Sequence, residues 1–166
     1  PDLGARKMVL PLPAQLVART SLSPLLRTMT EVDGKTYCLP HEINTLALFY
    51  NRDLFAAAQL AYPTAEWNWE TLRTTPEQLT DAEAGRYALA LPADFSRWLP
   101  FLYGAGGAVV DSSALTMTIN SPAALTALHY YTNLVLDGMA ASPATVGSRW
   151  SGEALAQGHA AMVIEG

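Results

Sequence analysis

Thr45-Leu46-Ala47-Leu48-Phe49-Tyr50 is a continuous apolar run with no polar alternation, and Asn51-Arg52-Asp53 follows it directly. An unbroken apolar stretch of this length reads as a strand covered on both faces, the pattern of a buried parallel strand. Asn51 and Asp53 are capping residues, so Leu54-Phe55-Ala56-Ala57-Ala58 reads as a helix opening behind the strand. Two further short apolar runs repeat the pattern. Tyr87-Ala88-Leu89-Ala90-Leu91 is stopped by Pro92, and Ala160-Ala161-Met162-Val163-Ile164 lies close to the end of the sequence. Buried strands separated by helices predict an α/β layered architecture around a parallel or mixed sheet.

The segments between these strands are helical in pattern. Trp67 to Leu72 reads as a helix that Pro76 ends or kinks near Thr75. Arg97 to Tyr103 reads as a helix despite Pro100, stopped by Gly104-Ala105-Gly106-Gly107. The clearest helix has Ser121 as N-cap, Pro122 in its first turn and Gly138 beyond its end. Leu125, Leu128, Thr132 and Val135 form one stripe of it, with Ala124, Ala127, Tyr131 and Leu134 beside them. Gly152 to Gln157 reads as a short helix closed by Gly158. Leu115 to Ile119 alternates apolar and polar, as a half-exposed strand does. Upstream, residues 1–30 read as loops with one or two short helices, and Val32-Asp33-Gly34-Lys35 carries a hairpin turn signal.

Composition narrows the function. The chain has 166 residues, enough for one core and a fraction of another but not for two full domains. Ten Lys and Arg stand against 15 Asp and Glu, giving a net charge of −5, which argues against a nucleic-acid partner. No apolar run approaches the ~18 to 20 residues of a membrane-spanning helix. The start at Pro1-Asp2, with neither Met nor a secretory pattern, is read as that of an excised segment. Cys38 is the single cysteine, so neither an internal disulfide nor a thiolate metal cluster is possible. His41, His129 and His159 do not pair at metal-ligand spacing, and no GxSxG nucleophile motif is present. The glycines at 104, 106 and 107 lack the third glycine that a dinucleotide fingerprint needs at position 109, which is Val109, and a P-loop Gly-Lys-Ser/Thr is absent, so they read as a helix stop. No metal, cofactor or catalytic residue is expected.

Several stretches taken together resemble one family. They are Asp33-Gly34-Lys35-Thr36-Tyr37, Leu39-Pro40, Asn44 through Phe55, Trp69-Glu70-Thr71-Leu72, Gly104 to Gly107, Asn120-Ser121-Pro122-Ala123-Ala124 and Ala154 through Met162. In order and spacing they are similar to the carbohydrate-type extracellular solute-binding proteins of ABC importers, the maltose-binding-protein-like group. The resemblance implies a type II periplasmic-binding-protein-like α/β fold of two hinged lobes closing on a ligand. It implies that residues 1–44 are a remnant of the first lobe and the hinge approach. Residues 45–166 are then most of the second lobe, truncated at its C-terminal end. It also implies binding of a solute, a sugar or oligosaccharide, outside the cytoplasm, either in the periplasm or lipid-anchored at the outer face of the membrane. The partner of the intact protein is then an ABC permease, and the protein is not an enzyme. With one cleft wall, the fragment alone is expected to bind sugar weakly or not at all.

A sugar offers hydroxyls to planar polar groups and a C–H face to an aromatic ring. Leu91-Pro92-Ala93-Asp94-Phe95-Ser96-Arg97-Trp98 follows a strand and opens a helix, where ligands sit in open α/β sheets. By the resemblance, Asp94 and Phe95 fall where the family has an acidic and an aromatic sugar contact, and Ser96 takes an aromatic position. That substitution leaves Phe95 or Trp98 as the stacking ring. Asn44 falls on a cleft-facing polar position, and Trp150 joins the candidates as a ring in a polar loop. Each has a plainer reading: Asp94 as a helix cap, Trp98 as core, Asn44 as a turn residue, Arg97 as a surface charge. Two other classes of function remain open: a carbohydrate-active enzyme domain with Asp94 or Glu165 as acid or base, and a protein-interaction module.

Overall fold

The structure, a computed structural model, describes residues 2–111 and 113–166, with the backbone alone at 75 and 76. The chain divides into two compact units, Pro1–Asn44 and Thr45–Gly166.

The first unit contains α1 (Asp2–Ala5), α2 (Ala14–Val17) and α3 (Pro24–Thr30), one short helix more than the sequence suggested. Ser23 caps α3 by accepting the Leu26 N–H, with Pro24 in the first turn. The hairpin forms where expected, pairing β1 (Glu31–Val32) with β2 (Lys35–Thr36). Asp33 and Gly34 both take positive φ, 50° and 70°, as a two-residue turn matching the strand twist requires. Among the described residues of this unit only Gly4, Thr30 and Thr36 are buried, so it has no apolar core of its own.

The second unit is built on a four-stranded mixed sheet in the order β3 (Ala47–Tyr50), β8 (Ala160–Glu165), β4 (Tyr87–Ala90), β7 (Ala140–Ala141). β4 runs parallel to both neighbours, with Leu89 opposite Met162 on one side and Ala140 on the other. β4 and most of β8 are buried, as their apolar runs predict. The first run behaves differently. β3 is an edge strand, antiparallel to β8, and Ala47 and Phe49 are exposed. Leu48 and Tyr50 face the core while their neighbours on the strand do not. An apolar run of this length therefore does not require that both faces be covered, and the expectation of a buried parallel strand is corrected.

Around the sheet lie α4 (Arg52–Ala57), α5 (Trp69–Thr74), α6 (Phe95–Gly104), α7 (Pro122–Leu136) and α8 (Ser151–Ala156). The Asn51 side-chain oxygen accepts the N–H groups of Asp53 and Leu54 at 3.0 and 3.2 Å, which starts α4. α5 gives way to a 3-10 turn over Thr75–Leu79, as Pro76 predicts. Pro100 withdraws the N–H that would reach the Ser96 carbonyl, yet α6 continues through it. Ser121 caps α7 and Gly138, at φ 77°, follows its end. Phe55, Leu102 and Met162 are fully buried at the centre. Trp67 lies 6.2 Å from the Phe55 ring and Trp69 stacks on Tyr130 at 4.5 Å, so both tryptophans are packing residues.

One expectation fails locally, and the structure settles which stripe of α7 is buried. The strand over 115–119 shrinks to β6 (Thr116–Met117), which pairs only with β5 (Val110–Asp111). Both β6 residues are exposed, and Leu115 sits at φ 52°, so the alternation has no core beneath it. On α7 the buried residues are Ala124, Ala127, Tyr131 and Leu134, while Leu125 and Leu128 are 49% and 45% exposed. The small-residue stripe packs against α6, and the leucine stripe is left open.

Candidate ligand-binding site

The sheet delivers the candidate residues to one place. β4 ends at Ala90, and Pro92-Ala93 carries the chain off the sheet to Asp94, the N-cap of α6. One carboxylate oxygen of Asp94, Oδ1, accepts the N–H of Ser96 at 2.8 Å, the N–H of Arg97 at 3.2 Å and the Ser96 hydroxyl. Among the described residues the other oxygen, Oδ2, has no partner. The Ser96 hydroxyl, helped by the two backbone N–H groups and the nearby Arg97 charge, holds this carboxyl below the usual carboxylate range.

Two further contacts hold the loop. The Tyr131 hydroxyl donates to the Pro92 carbonyl, which also accepts the Asp94 N–H at 2.8 Å. Burial pushes the Tyr131 phenol up to about 12. Arg97 donates through Nη1 to the Ser96 hydroxyl oxygen at 2.8 Å and through Nη2 to the Glu165 carboxylate at the end of β8. The Arg97 side chain is only 25% exposed. It is therefore not the surface charge that its plainer reading suggested; it ties α6 to β8.

A pocket of about 400 Å³ opens between α6 and α7, with Asp94, Phe95, Trp98, Ile119, Leu125 and Leu128 on its walls. Its lining is almost wholly apolar apart from Asp94 and Thr132. Phe95 is 52% exposed and Trp98 only 7%, their rings 5.7 Å apart and inclined at 49°. Phe95 is thus the ring a ligand can reach, and Trp98 is the wall behind it. A larger and more open depression of about 710 Å³ lies at the other end of α6, beside Asn68, Trp69 and Gly104. The Trp69 ring there is already stacked on Tyr130.

Of the residues singled out in the sequence, Asp94, Phe95 and Trp98 share this pocket, with Ser96 behind Asp94. Trp150 is elsewhere. It precedes α8, 55% exposed, and its ring covers Gly152 so closely that a Cβ there would lie 2.2 Å from it. Asn44 is the exposed last residue of the first unit. Glu165 is held in its pair with Arg97. Asp94 spends one oxygen on the helix cap. Ile119, Leu125 and Leu128 also line the pocket, and the sequence reading did not single them out as site residues. The signal was present: two adjacent apolar stripes make α7 too wide a face for one core contact.

The sequence pattern of the bacterial extracellular solute-binding proteins matches residues 2–166. Among solved structures, the chain is similar to the ABC substrate-binding protein Lmo0181 from Listeria monocytogenes, in complex with cycloalternan. Identity is 27% and the TM-score 0.84, over 98% of this chain and 44% of that one. It is also similar to the GacH receptor of Streptomyces glaucescens, solved unliganded and with acarbose. There identity is 29% and the TM-score 0.80, over 99% of this chain and 42% of that one. A curated protein of Brucella abortus (strain 2308) is 29% identical over 124 residues, 72% of this chain. The chain spans 28% of that relative's length.

Proposed function

The chain belongs to the bacterial extracellular solute-binding protein family, and we propose that the protein it forms part of binds a sugar or oligosaccharide for ABC-type import. Its fold is the α/β fold of the type II periplasmic-binding proteins, of which it covers a part. In this reading residues 45–166 are most of the second lobe, and residues 1–44 are the end of the first lobe with the approach to the hinge. The working location is outside the cytoplasm, and the partner is a membrane permease.

The observation that carries the reading is the Asp94 Oδ2, without a partner among the described residues, beside the half-exposed Phe95 on the wall of an apolar pocket. Oδ2 accepts a sugar hydroxyl while Phe95, backed by Trp98, meets a C–H face. Both groups are pre-set, Asp94 by the three donors on its other oxygen and Phe95 by its place in the first turn of α6. Asn44 and Trp150 are proposed as further contacts in the closed, full-length protein. Binding and release of a sugar breaks no covalent bond, so no catalytic group is assigned. Two matched proteins, in complex with cycloalternan and with acarbose, support hydroxyl-bearing ring compounds as the ligand class.

The test is a thermal-shift screen of neutral mono- and oligosaccharides against the full-length gene product. A ligand at 100 times its Kd adds about 2.7 kcal/mol to folding stability and raises the melting temperature measurably. A screen in which amino acids or peptides stabilise the protein and sugars do not overturns the reading.

A further inference from the structure

The charge around the pocket bears on which sugars it takes. Asp94 is the one carboxylate on its wall among the described residues, and its Oδ2 faces no donor. The Arg97 charge beside it has Nη1 on Ser96, Nη2 on Glu165 and a buried Nε that reaches neither the pocket nor a partner among the described residues. Two carboxylates against one guanidinium leave this end of α6 with a net negative charge. A helix N-terminus ordinarily attracts anions through its free N–H groups. Here Asp94 already occupies the N–H groups of Ser96 and Arg97, so the place an anion would take is filled from within the chain.

On the sugar-binding reading above, we propose that this site selects uncharged sugars and excludes those bearing a phosphate or carboxylate group. The neutral sugar gives a hydroxyl proton to Oδ2 and lays its C–H face on Phe95. A phosphosugar or uronate brings a second negative charge beside a carboxylate whose one neighbouring guanidinium, among the described residues, is turned to Ser96 and Glu165. Because the Ser96 hydroxyl keeps Asp94 ionised well below neutrality, the exclusion holds across the physiological pH range. For charges a few ångströms apart near a protein surface, repulsion of this kind weakens binding by about tenfold or more.

The experiment is calorimetric titration of the full-length protein with glucose, mannose, galactose and maltose, and with glucose 6-phosphate, mannose 6-phosphate, glucuronate and galacturonate. The expected result is that a neutral sugar binds and its matched anion binds at least tenfold more weakly. The gap should narrow in 0.5 M salt, where charges are screened over about 4 Å. It should also narrow in Asp94→Asn, which retains the helix cap because Asn is as good an N-cap as Asp. An anionic sugar that binds as tightly as its neutral counterpart overturns the selectivity and leaves the sugar reading standing. A gap unchanged in Asp94→Asn overturns the role of Asp94. Binding by no sugar of either kind sinks both readings together.

Discussion

The Tyr131 hydroxyl donates to the Pro92 carbonyl at 2.5 Å, joining positions 39 residues apart. Pro92 opens the loop that carries Asp94 and Phe95, so one phenol on α7 fixes the approach to the pocket. Tyr131→Phe keeps the ring, which meets Phe101 edge-on at 5.3 Å, and removes only the donor. The expected loss is about 1–2 kcal/mol of stability, measured by urea denaturation, with sugar affinity falling as the loop loosens. Unchanged stability and affinity would show that the bond positions nothing.

Tyr130 and Tyr131 also set an alkaline limit. Burial raises both phenols from 10 to about 12, and Tyr130 donates its hydroxyl to the Trp69 carbonyl at 2.6 Å. The folded state therefore holds these protons more tightly than the unfolded one. The stability they contribute is complete below pH 10 and is lost as pH rises from 10 to about 12. Denaturation midpoints measured across that range should fall for the wild type, and fall less steeply in Tyr130→Phe and Tyr131→Phe.

Glu165→Gln leaves the Arg97 guanidinium, three-quarters covered, without its carboxylate. The expected cost is about 1–3 kcal/mol in chemical denaturation, since a charged donor loses a charged acceptor. A fully exposed pair would have cost far less, so a loss below about 0.5 kcal/mol would indicate that this pair is worth no more than a surface one.

Gly152→Ala places a Cβ against the Trp150 ring, whose far atoms must swing away. Because that ring is more than half exposed, stability should change by no more than about 1 kcal/mol. The fluorescence of Trp150 should change, read in a variant where the other tryptophans are Phe. If Trp150 meets the ligand in the full-length protein, sugar affinity falls as well.

The fold was legible wherever a local signal had a single reading. Asn51, Ser121 and Asp33-Gly34 each act where their side chains or backbone freedom predict. β4 and β8 were visible because their apolar runs are buried on both sides. β3 was misread because an edge strand with one covered face carries the same residues as a buried one. The site was legible only in part. Asp94 and Phe95 follow from their place between strand and helix, whereas Leu125 and Leu128 look like core on any helical projection. Which stripe of α7 is buried depends on α6, where close packing favours the alanines. The Arg97–Glu165 pair spans 68 positions and has no local signature.

The central claim is that the first turn of α6 is a sugar contact. It is tested most directly by calorimetric titration of the full-length protein and its Phe95→Ala variant with the sugar that the thermal screen identifies. Phe95 is half exposed, so its removal should leave the unfolding midpoint nearly unchanged. Loss of a stacking ring worth about 0.5–1.5 kcal/mol predicts affinity lower by about two- to tenfold. Equal affinity in the two proteins, both folded, would contradict the account.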